Sequence, residues 1–141
     1  MKSTLELLFL DLQSKGYLKP TIRSEHFKYT LAPKTGRNPE AVYIKNKNGD
    51  YLGKIINCGI FLTSSTSDQF LLNEIAETMR SPQEAAIKYG HKTGQCAICG
   101  RQLDNKLSVA LGIGPICNER FGWQLPEGYH DSDSDIDTSM L

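Results

Sequence analysis

No apolar run in the 141-residue chain approaches the roughly 18 residues that a membrane span requires. A signal-peptide layout is missing too: Met1-Lys2-Ser3-Thr4 leads into residues 5–12, where Glu6 and Asp11 interrupt the leucines. These absences point to a cytoplasmic protein without a membrane partner. The catalytic signatures His-Glu-x-x-His, Gly-x-Ser-x-Gly and a Walker phosphate loop are absent, as is the His-x-Glu/Pro-Cys-x-x-Cys pattern of zinc deaminases. No acid/base pair or activated nucleophile stands out, so the expectation is a protein that is not an enzyme. Internal repeats are lacking as well.

Basic residues are missing from 126–141, which carry five acids: Glu127, Asp131, Asp133, Asp135 and Asp137. This stretch has too little apolar surface to fold and is expected to be a disordered acidic tail. The formal net charge of zero is therefore a cancellation. Residues 1–125 hold all 16 Lys and Arg against 11 Asp and Glu, a net of +5. A mildly basic body with an acidic tail suits an anionic partner for the body and a separate role for the tail.

The body divides by periodicity. Ser3 or Thr4 can cap a helix whose Leu5, Leu8, Phe9 and Leu12 follow helical spacing, with Gly16 and Pro20 beyond its end. Phe27, Tyr29 and Leu31 alternate as in a strand. Two β-prone runs, 41–45 and 51–56, flank Lys47-Asn48-Gly49-Asp50, and Asn-Gly supplies the positive φ angles of a tight hairpin. Residues 59–63 add a strand. A helix is expected over 68–80, with Leu71, Leu72, Ile75, Ala76 and Met79 on one stripe. Ser81-Pro82-Gln83-Glu84 reads as a capping box opening a short helix that Gly90 stops. The expected class is α+β: a small antiparallel sheet with helices over residues 1–90, a cysteine-rich module over 91–125, and the tail over 126–141.

Of the four cysteines, Cys96, Cys99 and Cys117 fall within 22 residues, while Cys58 stands alone. In a reducing compartment such clustering points to a metal rather than disulfides. Cys96-Ala97-Ile98-Cys99-Gly100 has the spacing of a zinc knuckle, a turn that aims two sulfurs at one point. Gly100 lets the chain leave in the left-handed region. Cys117 follows a Gly-x-Gly-Pro turn and opens a short helix, which gives a treble-clef-like arrangement. Structural zinc takes four ligands. His91, five residues before Cys96, is the most economical fourth; Asp104, Glu119, Cys58 and His130 are the alternatives. Cys58 itself reads more simply as a small buried apolar residue. Thiolates neutralise a bound metal and weaken its effect on water, so the zinc is expected to be structural.

Thr93-Gly94-x-Cys96-x-x-Cys99-Gly100-Arg101-x-Leu103, with Ser108 and Gly112-Ile113-Gly114-Pro115-x-Cys117, resembles a small zinc-binding domain family of phage and actinobacterial proteins. The resemblance covers roughly residues 87–122, led in by Ala86 to Gly90. The hairpin run Tyr51-Leu52-Gly53-Lys54-Ile55 is similar to the segment that often precedes that domain. The resemblance implies metal binding at Cys96, Cys99 and Cys117 in a phage-type protein of the host cytoplasm, and it implies no reaction.

Around the cysteines stand Lys88, Lys92, Arg101, Lys106 and Arg120, with Trp123 close by in sequence. Cations interleaved with aromatics suit phosphate contact and base stacking. Lys34, Arg37, Lys45, Lys47 and Lys54 form a second basic set near the hairpin. The expected function is a non-enzymatic, zinc-stabilised accessory protein that binds nucleic acid. The alternative is a protein-binding modulator or inhibitor of a nucleic-acid-handling host enzyme, such as RNA polymerase, or of a defence factor.

Overall fold

Helix α1, Thr4–Ser14, begins with a capping box: Ser3 accepts from the Glu6 N–H, and the Glu6 carboxylate accepts from the Ser3 N–H. The computed structural model describes residues 1–17, 19–63 and 68–123. The expected acidic tail and His130 lie outside the described residues. After α1 come five strands: β1 Thr21–Arg23, β2 Phe27–Leu31, β3 Val42–Asn46, β4 Tyr51–Ile56 and β5 Gly59–Leu62. They pair in chain order as one antiparallel meander, β1-β2-β3-β4-β5. Helices α2 (Gln69–Arg80), α3 (Pro82–Thr93), α4 (Lys106–Leu111) and α5 (Pro115–Arg120) follow. The α+β class expected from the sequence is the class observed.

Alternation sets the two faces of the sheet. Ile22, Phe27, Tyr29, Leu31, Val42, Ile44 and Ile55 are buried on one face, and pack with Leu5, Phe9 and Leu12 of α1 and Ile75 and Met79 of α2. The same buried cluster continues through Tyr89 of α3 to Cys96, Ile113, Cys117 and Phe121. The hairpin turns at Lys47–Asp50, with Gly49 (φ 91°) and not Asn48 at positive φ, and a bulge between Ile44 and Lys45 shifts the register by one residue. β1 was not apparent in the sequence, because three residues are too few to display a period.

Three local expectations are corrected. Ser81 precedes Pro82 at the first position of α3, but its side chain makes no capping hydrogen bond. α3 does not stop at Gly90; it runs to Thr93 and ends on Gly94 in the left-handed region. Gly90 is there for space: a Cβ on it would sit 1.6 Å from the carbonyl oxygen of Gly112, where the end of α4 crosses α3. Cys58 is exposed rather than buried. It shares the two-residue β4–β5 turn with Asn57, both at positive φ, and the two N–H groups donate to the Glu6 carboxylate at 2.9 and 2.8 Å.

Candidate metal centre

The segment after α3 folds back on itself within ten residues. Leu103 N–H donates to Gly94 O, Cys96 N–H to Arg101 O, and Gly100 N–H to Cys96 O, closing a tight turn around Cys96–Cys99. Gly100 leaves it at φ 78°. Asn105 caps α4 through Ser108, and Gly112 ends that helix; Gly114 and Pro115 then start α5 with Cys117 in its first turn. The sulfurs of Cys96, Cys99 and Cys117 lie within 4.8 Å of one another, with Cys96 and Cys117 buried and Cys99 exposed. A donor set of three thiols at this separation can hold a metal ion.

The turn is gripped from outside. Arg23 Nη1 donates to the carbonyls of Ala97 (3.2 Å) and Ile98 (2.9 Å), and Arg23 N–H donates to Ala97 O at 2.8 Å. The peptide N–H groups that follow those carbonyls, from Ile98 and Cys99, bond the Cys96 sulfur, as does Gly114 N–H at 3.4 Å. Arg23 thus fixes the two consecutive carbonyls of the turn, and Gly114 N–H holds the Cys96 sulfur.

Electrostatics follow from this cradle. The Cys96 thiol is held below its ordinary value by the hydrogen bond from Cys117 and by the peptide donors, against the opposing effect of burial. Cys117 is pushed up by donating to Cys96 and by burial. Tyr17, just past α1, packs edge-on against Phe121 at 5.8 Å. Burial is the main cause that pushes its phenol up.

The sequence-predicted residues sort unevenly. The three cysteines converge. His91 does not join them: its Nε2 lies 2.9 Å from Ala110 O, where it ties α3 to the end of α4. Asp104, Glu119 and Cys58 are also outside the cluster, the one group of potential metal ligands among the described residues. Of the cations, Lys92 is paired with Glu25 at 2.6 Å. Lys88 lies exposed on α3, Arg101 beyond the knuckle, Lys106 at the start of α4 and Arg120 at the end of α5. Trp123 packs on Phe121 at a centroid distance of 5.1 Å, and its backbone bonds Asn118, so it covers the core. Arg23 and Tyr17 were missed. A lone Arg in a three-residue strand and a Tyr beyond a helix end carry no local signal of what they pack against.

A separate cleft of about 810 Å³ lies between the β1–β2 turn, α2 and α3. At its wall Glu74 accepts from Ser24 Oγ, from His26 N–H at 2.7 Å and from His26 Nδ1 at 2.6 Å, while Ser24 also meets Tyr29 OH at 3.0 Å. The Glu74 carboxylate, shared by Ser24 and His26, latches the β1–β2 turn to α2.

An α+β fold with a three-cysteine cluster at its C-terminal end is the class these features define. Residues 86–122, about a quarter of the chain, match a family of unknown function, DUF6011. The match begins within α3 and spans the knuckle, α4 and α5, so it covers all three clustered cysteines. Comparison with curated proteins finds no match, and comparison with solved structures finds none. Among the described residues, no helix is long and apolar enough to cross a membrane.

Proposed function

We propose that Cys96, Cys99 and Cys117 supply three of the four ligands of a structural zinc ion, and that the chain is a non-enzymatic accessory protein that binds nucleic acid. The observation that carries the metal assignment is the convergence of the three sulfurs within 4.8 Å. Tetrahedral zinc with Zn–S bonds of about 2.3 Å separates its sulfurs by about 3.8 Å, which the cluster accommodates with small side-chain movements. When bound, zinc supplies crosslinking between the knuckle and α5, and its charge is largely neutralised by thiolate. The chain's own residues do the rest: peptide N–H groups hold the Cys96 sulfur, and Arg23 fixes the peptides.

The nucleic-acid reading is supported by the net +5 of residues 1–125 and by the exposed Lys88, Arg101, Lys106 and Arg120 around the module. The phage-type setting in a host cytoplasm rests on the motif resemblance. One observation favours the protein-binding alternative: Val109 and Ile116 are exposed on α4 and α5, at 53% and 68%. Zinc removal tests the proposal. Treatment with a strong zinc chelator should lower the thermal midpoint and be reversed by added zinc. An unchanged melt with and without chelator would count against a structural metal.

A further inference from the structure

Helices cover one face of the sheet; the other carries a pattern that the register lines up. Across β2 to β5, Thr30, Tyr43, Lys54 and Phe61 are direct neighbours in one row. In a second row, Arg23, Lys28, Lys45 and Tyr51 follow one another across β1 to β4. No acid falls on either row. Asp50, in the β3–β4 turn, is hydrogen-bonded to Asn46 at 3.1 Å. Among the described residues, Lys28, Lys45 and Lys54 have no ion pair.

Three adjacent cations on neighbouring strands repel one another, and like charges placed directly opposite destabilise a sheet. The cost is visible at Lys28, whose ammonium is held below its usual value by partial burial and then by Arg23 and Lys45. An anion lying across the rows would relieve that repulsion. The aromatics say which kind. Phe61 and Tyr51 are half-exposed, at 55% and 45%, and Tyr51 meets Tyr43 edge-on at 5.7 Å, steadying its ring. Tyr43 and Phe61 stand two strands apart, about 10 Å, with Lys54 between them. Rings alternating with cations on a flat β surface offer stacking to unpaired bases and charge to their phosphates. A duplex hides its base faces, and an acidic peptide has no use for the rings.

We propose that this face of the sheet binds single-stranded nucleic acid, stacking bases on Tyr43 and Phe61 and meeting phosphates with Lys28, Lys45 and Lys54. The proposal rests on the nucleic-acid reading above and moves the contact surface from the cysteine module to the sheet. Arg23 joins the two regions, because its strand position is on this face while its guanidinium grips the knuckle.

The test is fluorescence anisotropy of the full chain with fluorescein-labelled oligo(dT), at about 50 and about 200 mM NaCl. Three phosphate contacts give a log–log salt slope of roughly −2, hence about a twentyfold loss between those concentrations. K28Q/K45Q should weaken binding and flatten the slope toward about −0.7. Y43T/F61T should lose at least about fivefold at either salt concentration and keep the slope. Unchanged thermal midpoints would show that the variants fold. If the wild type binds but the sheet variants match it, while R101Q/K106Q loses affinity, the platform is wrong and the nucleic-acid reading survives. Duplex bound as tightly as oligo(dT), or Y43T/F61T binding like wild type, overturns the stacking assignment. No binding by the wild type overturns both.

Discussion

Glu6 is a fully buried carboxylate that serves two elements at once. It closes the capping box of α1 with Ser3, and it takes the Asn57 and Cys58 N–H groups of the β4–β5 turn. Burial pushes its pKa up, but the four hydrogen bonds outweigh that and hold it below the ordinary glutamate value. A lowered native pKa means that the ionised form stabilises the fold. That contribution is complete above the unfolded-state value near 4.3 and is lost as pH falls through the lowered native value. Glu6→Gln should therefore cost about 2 kcal/mol at neutral pH, because charge-assisted bonds to two turn N–H groups are weakened. Urea unfolding at neutral and acidic pH checks this, since the gap between wild type and variant should narrow on acidification. An equal gap at both pH values would show that the ionised carboxylate is not the source.

Elements differ in how much of them the sequence displays. The hairpin was legible because Asn48-Gly49 has few other uses between two β-prone runs, and α1 because Ser3 and its leucine spacing agree. The three cysteines were legible as a cluster because ligand spacing is a local property. What was hidden depends on long-range contact. Gly90 looks like a helix stop by composition, yet α3 continues through it because the Gly112 carbonyl occupies the space a side chain would need. His91 has the sequence position of a ligand, and the helix directs it to Ala110 instead. Cys58 looks like core, and turn geometry exposes it. The crossing of α3 and α4 gives a prediction opposite in sign to helix propensity. Gly90→Ala would gain about 1 kcal/mol in an isolated helix. Here the added Cβ meets a backbone oxygen at 1.6 Å, so the variant should lose about 3 kcal/mol instead. Thermal denaturation decides between the two signs.

At the scale of the whole molecule, one buried core runs from α1 through the sheet to the cysteine module. The module contributes two short helices and a turn, and it meets the rest through Arg23, through Tyr17 on Phe121, and through the glycine crossing of α3 and α4. The interior of the module is built from the buried Cys96, Ala97, Ile98, Leu103, Leu111, Ile113, Cys117 and Phe121. On the proposed zinc assignment, a metal crosslink between the knuckle and α5 would add to the stability of this set. The two rows on the sheet and the cysteine cluster are joined at β1 through Arg23, which pairs with Lys28 and bonds the carbonyls of Ala97 and Ile98. The most direct measurement is the mass of the intact wild type and of Cys117→Ser under native and denaturing conditions. The wild type should carry one zinc natively and lose it on denaturation, and the variant should carry none. A wild type with no bound metal, or a variant that keeps full zinc occupancy, would contradict the three-cysteine centre.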